Sequence, residues 1–335
     1  MAVSNTYDTT NPGSAVSNRE DLTDVLSILA PEETPVLSSL NKQKASATFV
    51  EWTVDTLSTP NADGIAEGAD VSSFTDKFSG RARLGNYVQK FRRDYLVSDL
   101  QEAVDSVGPA KIAQAEAKSI RELKRDIELA LCSENDRQQE NGAGNAYKLR
   151  GLGKWIESTT NTGGAGASSD IPDDFKTPAS SIDATSNVLT EDNFNSVITS
   201  IYRETGAVDS LMLIADTALR RQISDYARLG NQTESIRNVN YEGGSAEIKL
   251  SVEFYQSDHG LVSIVNANPD CMPATAVANN QGYLVNPDYA GIHELIPMGS
   301  TRLPNMGGGE RGYVDCSLTL GVYHPQAHGK LTDVS

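Results

Sequence analysis

Cations, histidine, cysteine and long apolar runs are all scarce in this chain, and each shortage closes off a class of function. Lys and Arg number 28 against 45 Asp and Glu, a formal net charge of −17 over 335 residues. Phosphate contact needs a basic face, so this balance argues against general or specific nucleic-acid binding. No stretch reaches 18 apolar residues, so no segment reads as a membrane-spanning helix. The opening residues 1–18 lack both a basic n-region and an apolar h-region, so no secretory leader is expected. Cys132, Cys271 and Cys316 are far apart and odd in number, which suits reduced thiols in a protein folded in a cytosol.

Catalysis has no visible address in the sequence. There are four histidines, His259, His293, His324 and His328. Only His324 and His328 are close in sequence, four residues apart. Pro325 and Gly329 break a helix there, and on a strand the rings would stand about 13 Å apart. The economical reading is an exposed turn near the tail; the alternative is a metal-dependent hydrolase using both histidines and a carboxylate. Gly307-Gly308-Gly309 and Gly151-Leu152-Gly153-Lys154 lack the Lys-Ser/Thr and the strand-to-helix context of a phosphate loop. They read as turns that let backbones approach closely. No Gly-x-Ser-x-Gly elbow occurs. Glu32-Glu33, Asp173-Asp174 and Glu191-Asp192 read as caps or solvated faces. No catalytic, cofactor-binding or metal-binding residue is assigned, and no cofactor is expected.

What the chain does have is a sharp division of charge. From Glu51 to Asp76 every charged side chain is acidic, and from Lys77 to Arg93 every one is basic. Val50, Trp52 and Val54 alternate with Glu51, Thr53 and Asp55, and Arg81-Ala82-Arg83-Leu84 repeats the alternation. Asp63-Gly64 and Glu67-Gly68 carry turn chemistry between them. The pattern predicts one long antiparallel excursion, an acidic strand going out and a basic strand returning. From Glu51 to Asp63 it spans roughly 40 Å if extended. A compact chain of this size has a radius of gyration of about 20 Å, so such an arm outreaches its own core. A free two-stranded ribbon is marginal in water. Two readings stay open: the ribbon rests on a neighbouring copy, or its charges pair across its own strands at the surface.

Around this arm the elements alternate in kind. Residues 1–18 are too polar to order alone, and 19–29 read as a short helix stopped by Pro31 and Pro35. Pro109 opens the clearest helix, with Ile112, Ile120, Leu123, Ile127, Ala130 and Leu131 on one stripe and Glu128 assigned to the solvated side, attracting Lys124. It is expected to run toward Glu140, about 40 Å in all. Residues 141–181 are rich in Gly, Ser and Thr, and 160–169 read as a mobile loop or contact segment. Thr190 caps a helix through Phe194, Val197, Ile198 and Ile201, followed by a buried strand over 211–215 and a helix begun at Asp216. After Asn238 strands are expected over 246–255, 260–266, 282–285, 292–297 and 313–323.

This order of elements resembles the major capsid protein of tailed phages, the Hong Kong 97 fold. Arg19-Glu20-Asp21-Leu22 through Pro31-Glu32-Glu33-Thr34-Pro35, and Gly321-Val322-Tyr323-His324-Pro325, resemble segments of one capsid branch. The resemblance implies an α+β fold with an N-terminal arm (1–50), an extended β-hairpin loop (51–97), and a peripheral domain with a spine helix and flexible loop (98–189). It further implies an axial domain (190–275) and a return to the peripheral sheet (276–335). It implies self-assembly into pentamers and hexamers of an icosahedral shell around phage double-stranded DNA. Candidate inter-subunit contacts are Glu51, Asp55, Lys77, Arg81, Arg83, Arg92 and Arg93. The short N-terminal arm implies a separate scaffolding protein, and the family implies a portal and room for a cement protein. Some members cross-link Lys to Asn; Lys77 and Lys90 lie in the loop, with nothing marking either as reactive. An encapsulin-like compartment shell is the alternative within the same fold.

Overall fold

The computed structural model describes residues 31–104, 111–160, 170–184, 189–229, 239–248, 253–272 and 281–331, except positions 72, 79, 143, 207, 209 and 243–244. The expected helix at 19–29, Pro109 and most of the 160–169 loop lie outside them. In chain order the elements are α1 (Pro35–Ser39), β1 (Asn41–Lys44), β2 (Phe49–Val54), β3 (Ala82–Tyr87), β4 (Gln89–Val97) and α2 (Asp99–Ala103). Next come α3 (Lys111–Cys132), α4 (Leu152–Trp155), β5 (Ile182–Asp183), α5 (Glu191–Thr205), β6 (Met212–Ala215) and α6 (Thr217–Leu229). The rest is β: β7 (Val239–Glu242), β8 (Ser245–Ile248), β9 (Phe254–Ser257), β10 (Gly260–Asn266), β11 (Gly282–Val285), β12 (Ala290–Leu303), β13 (Glu310–Val322) and β14 (Gly329–Leu331).

Two sheets organise these elements. One is four-stranded in the order β1-β12-β13-β4, and the other six-stranded in the order β5-β14-β11-β6-β10-β9. The helix α3 lies along the first: its Leu123, Ile127 and Leu131 are fully buried against the cluster holding Phe91, Tyr95, Val314, Cys316 and Leu318. Side chains of this size each contribute about 1.5–3 kcal/mol when fully buried. Thr190 caps α5 by accepting the Asn193 N–H, and Gly206 ends it at φ 71°, the left-handed conformation glycine adopts without strain. Phe194, Val197, Ile198 and Ile201 of α5 join Leu219 and Ile223 of α6 in a second cluster on the six-stranded sheet.

The structure redraws several sequence expectations. The long helix spans 22 residues, about 33 Å at 1.5 Å per residue, and stops at Cys132 instead of continuing toward Glu140. Ser133 turns its hydroxyl back onto the Ala130 carbonyl, Tyr283 takes the Cys132 carbonyl, and the next residues bend into a β-bridge between Gln138 and Lys148. Glu128 is buried, not solvated, and Lys124 is exposed. Its two carboxylate oxygens accept the backbone N–H groups of Val36 (2.8 Å) and Leu37 (2.9 Å) at the start of α1. Lys42 and Lys44 lie in β1, which pairs parallel to β12. The tail is divided between the sheets: β12 and β13 belong to the four-stranded sheet, β11 and β14 to the six-stranded one.

Candidate assembly surface

The excursion is a ladder only at its root. Phe49–Val54 pairs antiparallel with Ala82–Tyr87, and residues 55–81 form no strand among the described residues. The expected ladder out to Asp63 fails where alternation gives way to Thr56-Leu57-Ser58-Thr59-Pro60, which ends in a residue with no amide hydrogen to donate. The basic half divides differently: Arg92 and Arg93 belong to β4, the edge strand of the four-stranded sheet.

Beyond the root, the arm leaves its large apolar side chains exposed. Leu57 is 99% exposed, Ile65 89% and Phe74 91%, with Val71 and Phe78 also largely in water. Five large apolar side chains on one exposed segment exceed the scattered singles of an ordinary surface. The arm therefore carries more apolar surface than its acidic tip suggested.

Charge pairing holds the neck of the arm. Arg81 donates to Asp55 at 2.7 Å and lies over the Phe78 ring at 4.1 Å, while Arg83 stands 3.7 Å from Glu51. The Arg81 guanidinium holds the Asp55 carboxyl below its ordinary range. These are the cross-strand pairs left open by the sequence, so Glu51, Asp55, Arg81 and Arg83 have partners within the chain. Arg93 also does, through two hydrogen bonds to Asp126 on α3 (2.5 and 2.7 Å), which raise its pKa. Lys77 and Arg92 are exposed and make no ion pair among the described residues. Arg92 opens onto the groove face of the four-stranded sheet with Asp94, Leu303, Arg311 and Tyr313.

The root itself is clamped from below by residues that sequence reading passed over. Asn86, fully buried, donates to the carbonyls of Arg150 (3.1 Å) and Leu320 (2.8 Å) and accepts the Arg150 N–H (2.8 Å). The Arg150 guanidinium reaches Asp136 and Asp170, and Arg137 donates to the Gly85 carbonyl at 2.6 Å. Gly151 is packed so tightly that a Cβ there would overlap the Ser133 carbonyl. An isolated Asn in a strand offers little warning of such a role; the Arg150-Gly151-Leu152-Gly153 segment, with a charged residue beside two glycines, offers more.

The histidine pair is not an exposed tail turn. His328 is fully buried behind the Pro325–Ala327 turn, its Nδ1 accepts the Asn286 N–H at 3.2 Å, and burial lowers its pKa to about 4. His324 packs against the rings of Phe175 and Tyr289. Among the described residues no group of three His, Cys, Asp or Glu side chains could hold a metal.

A helix laid on a four-stranded sheet, a second mixed sheet with its own helices, and an extended arm with exposed apolar side chains define a Hong Kong 97-like shell subunit. The chain belongs to the SU10 major capsid protein family, whose model matches residues 3–335, and so is a shell-forming subunit of a phage virion. Solved capsids share the fold at low identity. The capsid of cyanophage P-SCSP1u is 14% identical over 99% of this chain and 96% of its own, with a TM-score of 0.60. The cyanophage A-1(L) capsid is 14% identical over 97% and 98%, at 0.63. The capsid of a native GTA particle is 12% identical over 98% and 99%, at 0.61. A comparison with curated proteins finds no match.

Proposed function

We propose that the arm of each subunit rests on a second copy of the chain, and that this contact drives closure of the shell around phage double-stranded DNA. The observation that carries it is the exposure of Leu57, Ile65, Val71, Phe74 and Phe78 on one segment. An obligate interface orders segments that have no core of their own, and a heterologous contact repeated around a ring closes. Of the seven residues first considered for this contact, Lys77 and Arg92 are the ones free to reach a neighbour. Glu51, Asp55, Arg81 and Arg83 stiffen the neck, and Arg93 fastens β4 to α3.

In this reading 1–50 serves as N-terminal arm and 51–97 as extended loop, apart from β1 and β4 in the four-stranded sheet; 98–189 serves as peripheral domain, 190–275 as axial domain, and 276–335 is a return shared between the two sheets. A separate scaffolding protein, a portal and a cement protein complete the partners. Subunits at −17 each repel the packaged genome, leaving its entry to a motor. The role is structural and calls for no catalytic centre. The hydrolase reading gains nothing from the geometry, because His328 is sealed from solvent with Nδ1 engaged by the backbone. A compartment shell shares the fold, but the family match points to the phage capsid.

The test is the triple variant Ile65→Ser, Phe74→Ser, Phe78→Ser, followed by sizing and electron microscopy. Soluble, folded subunits that no longer form shells are expected. Shells of normal yield and diameter would remove the arm from the interface.

A further inference from the structure

At the C-terminal end of α3 one cross-strand pair of the six-stranded sheet makes directed polar contacts to the end of the helix and the segment after it. Tyr283 on β11 and Lys330 on β14 stand directly opposite each other in the antiparallel register. Residues so placed share one face of the sheet, and both are fully buried. The Tyr283 hydroxyl donates to the carbonyl of Cys132, the last residue of α3, at 3.1 Å. The Lys330 ammonium donates to Glu134 Oε1 at 2.8 Å and to the Gly153 carbonyl at 3.2 Å. Glycine at position 153 makes the approach possible, since a Cβ there would stand 2.7 Å from the Tyr283 hydroxyl.

At the other side of α3 the layers are joined by an exposed ion pair, Arg125 to Asp270, while the buried contact is apolar: Ile214, Val285 and Met212 share one cluster with Leu131, Trp155 and Ile292. Apolar contact is non-directional and tolerates small sliding of one layer over another. Directed bonds from a buried cation and a buried hydroxyl do not, because a displaced partner leaves a buried polar group unsatisfied. Since α3 lies along the four-stranded sheet, these bonds tie the end of that helix and the segment after it to the six-stranded sheet.

We propose that Tyr283 and Lys330 are positioning residues that set the angle between the two sheets, and through it the curvature of the shell. The proposal rests on the shell reading for its second half only; the angle itself is a property of the single subunit. A buried ion pair adds little net stability when both partners are exchanged for apolar groups, whereas losing one partner strands the other. The informative variant is therefore the double exchange Lys330→Met, Glu134→Leu, with Tyr283→Phe as a milder second.

Two measurements on full-length protein separate the angle from the shell. First, spin labels on the exposed positions Lys118 of α3 and Arg203 of α5 report the distance between the two layers in unassembled subunits. A broader or shifted distance distribution than in the unmodified protein is expected for both variants. A distribution as narrow and as centred as the original in Tyr283→Phe, and in the double variant if it folds, would overturn the positioning role. Second, electron microscopy of assembled particles is expected to show mixed or altered diameters for the variants beside uniform unmodified shells. Uniform variant shells of the original diameter would overturn the link to curvature. Failure of the unmodified chain to assemble would count against the shell reading, and the spin-label distances would still decide the angle.

Discussion

Asn86 and Arg150 hold each other through the backbone in both directions: the Asn86 amide donates to the Arg150 carbonyl and accepts the Arg150 N–H. A third bond, from Asn86 to the Leu320 carbonyl, ties the same side chain to β13. One side chain thus joins the root of the arm, the segment leading into α4, and the central strand of the four-stranded sheet. The arm leaves the body from a fixed base.

Replacing Asn86 by Ala orphans three buried backbone groups at once. Stability in urea denaturation is expected to fall by about 2–4 kcal/mol, several unmet hydrogen bonds at about 1 kcal/mol or more each. A midpoint unchanged from the original chain would show that the clamp carries no weight.

Glycine substitutions at two sites give a sharp contrast. Gly151→Ala drives a methyl into the Ser133 carbonyl and is expected to cost about 1–3 kcal/mol, the usual range for overpacking. Gly64→Ala, on the arm with nothing within 4 Å, is expected to leave thermal unfolding alone. Equal melting temperatures for the two would contradict the packing at α4.

Glu128 gives a pH dependence with a definite sign. Burial raises its pKa above the ordinary 4.5, although the Val36 and Leu37 amides pull the other way. The folded chain therefore holds this proton more tightly than the unfolded chain does. Its contribution is fully present below pH 4.5 and is lost as pH rises through the folded value. Glu128→Gln cannot titrate, so the stability of the original chain minus that of the variant should fall as pH climbs from 4 toward neutrality. A difference that grows with pH in paired urea titrations would refute the assignment.

How much of this was legible beforehand follows the physics of each element. Strands bounded by Gly, Asn and Pro, such as β10 and β11, and the Thr190-capped helix α5 were readable because local chemistry alone places their ends. The stop of α3 at Cys132 was not, because it depends on Tyr283, 151 residues away. The burial of Glu128 carries a local signal: it sits beside Ile127 and three residues before Leu131, on the buried edge of the stripe, where a carboxylate needs donors. The burial of His328 is not legible, because nothing local reveals that Gly329-Lys330-Leu331 enters a sheet. Charge division correctly marked the arm and its cross-strand pairs, but it hid the apolar character that distinguishes the tip.

In the proposed shell each subunit's arm finds its seat on a sister molecule. A cryo-electron microscopy reconstruction of shells assembled from the purified chain tests it most directly. Density for residues 57–78 is expected to lie across an adjacent subunit, with Phe74 and Phe78 covered. Shells in which that segment folds back onto its own body, or stands free in solvent, would contradict it.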